Sequence, residues 1–146
     1  MKVKGLLPSE KNHRDIKRVL RDNDPYVGDY RFTVTFSKWV KTSKVSEHEW
    51  DKGKRVSWKR TMILSGQEYE IRARRTTYTA YVNGYSNWKG TKQVPTYEMT
   101  IYRADDDRQP RKPVYEMHSE TRMNCMVNFL YHLPTLRQRW RKEEEE

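Results

Sequence analysis

Apolar and polar residues alternate through much of the middle of this chain. Tyr30, Phe32, Val34 and Phe36 point one way, and Arg31, Thr33 and Thr35 the other, as in a half-buried strand. Residues 56–64 repeat the pattern, with Val56, Trp58, Met62 and Leu64 turned inward and Arg60 as the exception. Beyond a turn at Ser65-Gly66-Gln67, Tyr69, Ile71 and Ala73 alternate with Glu68, Glu70, Arg72 and Arg74. A further strand is predicted over 77–82, and Asn83-Gly84 is the strongest hairpin signal in the chain. Residues 96–103 and 114–120 make two more strands, joined by an exposed loop with three Asp and two Pro. Gly53 closes a tight turn in the long connection before residue 56.

Two segments follow a helical period instead. The first starts with Ser9 as N-cap and Glu10 in the first turn, and stops near Asp24, where Pro25 disfavours helical geometry. It places Ile16, Val19 and Leu20 on one side and Arg14, Lys17, Arg18 and Arg21 on the other. The second follows Glu120, with Met123, Met126, Val127 and Leu130 in register and Phe129 and Leu133 widening the face. Pro134 is expected to kink or end it, leaving residues from about 141 to 146 as a frayed acidic tail. With no repeat and no linker composition, the order predicts one domain over 1–146. Its fold class is α+β: a single antiparallel sheet of about five or six strands flanked by an N-terminal and a C-terminal helix.

Composition narrows the functional classes. Hydrophobic and charged residues each make up 34%, so the core must be lean, yet ten Tyr and five Trp are too many for a disordered chain. Lys and Arg outnumber Asp and Glu by 30 to 20, and the last four residues are all Glu. The body of the chain therefore attracts polyanions, either nucleic acid or the acidic face of another protein. Cys125 is the only cysteine, which excludes an intramolecular disulfide and a cysteine-based zinc site within one chain. No apolar run has the length of a secretion signal or a membrane span. These features suit a reducing, cytoplasmic setting, with nucleus or virion as the other compartments, and no membrane partner.

Three places carry chemistry. The row Arg14, Lys17, Arg18 and Arg21 can neutralise several phosphates at once, or it is the solvated back of a docked helix. From Ile71 to Tyr97 there is no Asp or Glu, while Arg72, Arg74, Arg75, Lys89 and Lys92 interleave with Tyr78, Tyr81, Tyr85, Trp88 and Tyr97. Tyr78 and Tyr97 fall on inward faces, so Tyr85 and Trp88 are the stacking candidates, with Arg72, Arg74 and Lys89 beside them. A protein interface would use the same residue types. Glu116, His118 and Glu120 share one face of a strand and, with Asp105, Asp106 or Asp107, suggest a metal-dependent nuclease. Same-face strand neighbours sit roughly 7 Å apart, too wide for one ion without bending. There is no phosphate-cradling glycine loop, zincin pattern or serine nucleophile motif, and no cofactor is expected.

The leading expectation is a non-catalytic module that binds nucleic acid or a ribonucleoprotein with low sequence specificity. The alternative is a protein-interaction module that docks on an acidic partner: an inhibitor, an assembly subunit or an accessory factor, of a virus for instance. Surface charge discriminates them. One continuous positive band from the first helix to the Asn83-Gly84 hairpin favours nucleic acid, and separate patches favour a protein.

Overall fold

The computed structural model describes residues 1–23, 32–42, 56–81 and 91–145. The elements in chain order are β1 (Lys2–Lys4), α1 (Pro8–Lys11), α2 (Arg14–Asn23), β2 (Thr33–Phe36) and β3 (Val40–Lys41). They continue with β4 (Val56–Leu64), β5 (Gln67–Tyr81), β6 (Thr91–Arg103), β7 (Tyr115–Ser119) and α3 (Arg122–Glu145). The class is α+β, with a sheet of seven strands in the order β1-β2-β4-β5-β6-β7 and β3 also paired to β4. Every pairing is antiparallel except β1 with β2, which is parallel. That exception has a topological reason: a parallel neighbour needs a crossover, and α1 and α2 lie between β1 and β2 in the chain.

Strand periodicity places the core. Phe32, Val34 and Phe36, then Met62 and Leu64, then Tyr69, Ile71 and Ala73, then Met99 and Ile101 are buried on one face of the sheet. The helices cover that face with Ile16 and Val19 of α2 and with Cys125, Met126, Phe129, Leu130, Leu133, Leu136 and Trp140 of α3. The Ser65-Gly66 turn between β4 and β5 has positive φ at both residues, 49° and 86°, which suits the twist of a two-residue hairpin.

Besides the seventh strand and the parallel β1 in a sheet expected to be antiparallel with five or six, four details differ from the sequence expectation. The first helix is two helices: Leu7, not Ser9, is the N-cap of α1, and its N–H is accepted by the Glu10 carboxylate at 3.0 Å. After Asn12 the chain restarts, with the Asp15 N–H donating to His13 Nδ1 at 3.2 Å. Residues 67–81 are one long strand rather than two. α3 runs through Pro134 to Glu145, so the region expected to fray is helical, with Arg141, Lys142 and Glu143 exposed. Packing overrides the proline here: Leu133 and Leu136 are buried on either side of it, and the Trp140 ring stacks on Tyr69 at 5.0 Å.

The fourth difference is Arg60. It is not an exception to the inward pattern: it shares the inner face with Met62 and is 2% exposed. Its Nη1 donates to Glu10 Oε2 at 2.8 Å and its Nε to the Ser37 carbonyl at 2.9 Å. The guanidinium lies over the rings of Phe36 and Trp39, 4.8 and 4.6 Å from their centroids. Arg122, at the start of α3, in turn lies over Trp39 and Trp58 at 5.4 and 4.3 Å. Burial pushes the Arg60 guanidinium below the ordinary arginine value, against the opposing pull of Glu10.

Candidate cationic surfaces

α2 presents its cations as the sequence pattern requires. Ile16 and Val19 are buried and Leu20 is half-buried, while Arg14, Lys17, Arg18 and Arg21 are all exposed. Arg14 and Arg21 have loose ion pairs with their chain neighbours, Asp15 at 3.9 Å and Asp22 at 3.6 Å. Among the described residues, Lys17 and Arg18 have no carboxylate partner. The row from Arg14 to Arg21 is about 10 Å long at 1.5 Å per residue.

Arg72 and Arg74 do not join it. On β5 they alternate with the buried Ile71 and Ala73, so they project from the outer face of the sheet, away from the helices. They are also matched by acids. Arg74 is ion-paired with Glu98, its register partner on β6. Arg72 lies 3.4 Å from Glu70, which also accepts a hydrogen bond from Arg111 Nη1 at 2.6 Å. Burial pushes the Glu70 carboxyl up, but Arg111 and Arg72 together hold it below the usual glutamate value. Tyr85, Trp88 and Lys89 lie outside the described residues. Tyr97 packs against the core, stacked on Trp58 at 6.1 Å, as its inward position predicts.

Glu116 and His118 project from the outer face of β7, and Glu120 follows it; all three are exposed. His118 Nδ1 is 3.7 Å from Glu98. Asp105 pairs with Arg103, and Asp106 pairs with Arg108 at 2.8 Å while also accepting the backbone N–H groups of Arg108 and Lys112. Those hydrogen bonds, Arg108's foremost, hold the Asp106 carboxyl far below its usual range. Among the described residues, no group of three His, Cys, Asp or Glu is placed to hold a metal ion, and no helix is long and apolar enough to cross a membrane.

Residues that the sequence pattern leaves unremarked complete the outer face. Two adjoining depressions, of about 570 and 330 Å³, share Lys59 in their walls. The larger is also lined by Ser57, Arg72, Arg74, Glu98, Thr100, Tyr102 and Glu116, and the smaller by Glu70 and Arg111. Tyr102 carries two guanidinium groups near its ring, Arg111 at 4.5 Å and Arg72 at 5.8 Å. No family model, no curated protein and no solved structure matches this chain.

Proposed function

We propose that the protein is a non-catalytic interaction module that docks on an acidic surface of a partner protein through α2. The observation that carries this reading is the separation of its cations. Arg14, Lys17, Arg18 and Arg21 stand exposed on the helix side, whereas Arg72 and Arg74 lie on the far face beside Glu70 and Glu98. A polyanion that tracks many phosphates needs an extended band of free cations. A row about 10 Å long suits the acidic stripe of a partner's helix or loop, where complementary charge sets orientation and association rate. The fit of Lys17 and Arg18 to this role rests on their having no carboxylate partner among the described residues.

The test is capture of partners by the tagged protein with and without nuclease treatment. The expected result is one co-purifying polypeptide that survives nuclease and is lost with the double change Arg14→Glu and Arg18→Glu, at unchanged circular dichroism. Capture that vanishes with nuclease would overturn the reading. It would favour the second one, low-specificity nucleic-acid binding by the same four residues, which the exposure of all four also supports. That reading predicts a log–log salt slope of roughly −3 to −4 on duplex DNA, from about four phosphate contacts.

A further inference from the structure

We infer that the outer face of the sheet holds a separate site for a small phosphate monoester with a hydroxylated body. The register aligns four residues across four strands: Lys59 opposite Arg72, Arg72 opposite Thr100, and Thr100 opposite Glu116. Across the sheet the row therefore reads cation, cation, hydroxyl, carboxylate. All four line the larger depression, whose volume of about 570 Å³ is in the range of small-molecule sites.

The cationic end is left unbalanced. Two like charges directly opposite each other on neighbouring strands repel, and Lys59 and Arg72 are such a pair. Among the described residues, Lys59 has no carboxylate partner. Arg72 reaches Glu70 only at 3.4 Å, and that carboxylate is already bonded more closely by Arg111. Among the described residues, the buried Nε and Nη2 atoms of Arg111 meet no acceptor. Arg72 and Arg111 thus share one carboxylate, while Lys59, opposite Arg72, has none among the described residues. A dianionic phosphate between Lys59 and Arg72 would remove the repulsion.

The other end selects what the phosphate carries. Glu116 is exposed and has no cationic partner among the described residues, and it lies about 14 Å from Lys59, three strand spacings away. Its carboxylate accepts hydrogen bonds from hydroxyl groups, and the Thr100 and Ser57 hydroxyls lie in the same walls. Stacking of a nucleobase is disfavoured, because Tyr102 already carries Arg72 and Arg111. A sugar phosphate fits the row.

The experiment is titration calorimetry with two probes, ribose 5-phosphate and inorganic phosphate. The wild-type protein should bind ribose 5-phosphate at least tenfold more tightly than inorganic phosphate. Lys59→Gln and Arg72→Gln should each weaken both probes tenfold or more. Glu116→Gln should reduce ribose 5-phosphate to the affinity of inorganic phosphate and leave the latter unchanged. All three side chains are exposed, and circular dichroism checks that each variant folds. No saturable binding of either probe at 10 mM, or binding insensitive to Lys59→Gln and Arg72→Gln, would overturn the site. Arg14→Glu with Arg18→Glu should leave probe binding intact, and Lys59→Gln should leave partner capture intact, so the two readings fail separately.

Discussion

Removing the Glu10 carboxylate should be among the most damaging single changes to the fold. Glu10→Ala takes away the only carboxylate among the described residues bonded to Arg60, whose side chain is 0% exposed, and it also takes the cap from the Leu7 N–H. Arginine does not shed its proton in a protein, so the charge remains buried without a counterion. Stranding one partner of a buried pair costs about 3–5 kcal/mol. The Phe36 and Trp39 rings beside the guanidinium surround it in the intact protein too and so do not offset the loss. For a domain of this length each kcal/mol lowers Tm by about 2–4 °C, so Glu10→Ala should lower it by about 6–20 °C. Arg60→Met alone should cost a similar amount by stranding Glu10. The double change Glu10→Leu with Arg60→Met removes both charges and should lie within about 1 kcal/mol of wild type, because well-packed apolar groups replace buried pairs at little cost. Urea denaturation of wild type, Glu10→Leu, Arg60→Met and the double variant gives the coupling energy directly. Additive single costs, or a loss below about 1 kcal/mol for Glu10→Ala, would refute a buried pair at this position.

Other consequences are equally direct. Gly5 has φ +84°, and an added Cβ would fall 1.8 Å from the Phe36 carbonyl oxygen, so Gly5→Ala should pry β1 from β2 and show it as faster amide exchange in both. Gly66→Ala meets open space and pays only for its φ of +86°, about 1 kcal/mol by urea denaturation. Cys125 is buried, which pushes its thiol up to about 11, so a thiol reagent at pH 8 should label it only at the rate of unfolding. Glu70 is held below its ordinary value in the fold, so the unfolded chain binds its proton first as pH falls. Its contribution to stability is full above the ordinary glutamate range and is lost as pH drops through the lowered value. Glu70→Gln should therefore flatten the decline in stability below about pH 4.5.

Period and parity made most of the fold legible. Phe32, Val34, Phe36, Met62, Leu64, Tyr69, Ile71 and Ala73 are buried where alternation puts them, and Met126, Phe129, Leu130 and Leu133 where the helical period does. What parity could not supply was the content of an inward position. Arg60 obeys the alternation despite its charge, because a carboxylate 50 residues earlier in the chain reaches the same point of the core. Local propensity likewise said nothing about the apolar contacts of Leu136 and Trp140, which carry α3 past Pro134. The parallel β1, only three residues long, has too little sequence to show a period.

The same distinction between chain order and space decides the cationic surfaces. Between Ile71 and Tyr97 there is no acid, and read along the chain this is a long positive stretch. The two acids that match it stand just outside: Glu70 precedes the stretch and Glu98 follows it. Because β5 and β6 pair antiparallel, Glu98 comes to lie opposite Arg74, while Glu70 sits two residues from Arg72 on the same face. Hairpin pairing brings the two ends of an acid-free stretch together, so the charge there is that of the ladder and not of the segment. On α2 no such return is available, since residues three and four apart on the row are themselves cations. Freedom from a carboxylate is therefore a property of topology. Among the described residues it leaves Lys17 and Arg18 without a carboxylate on the helix side and Lys59 on the opposite face of the sheet.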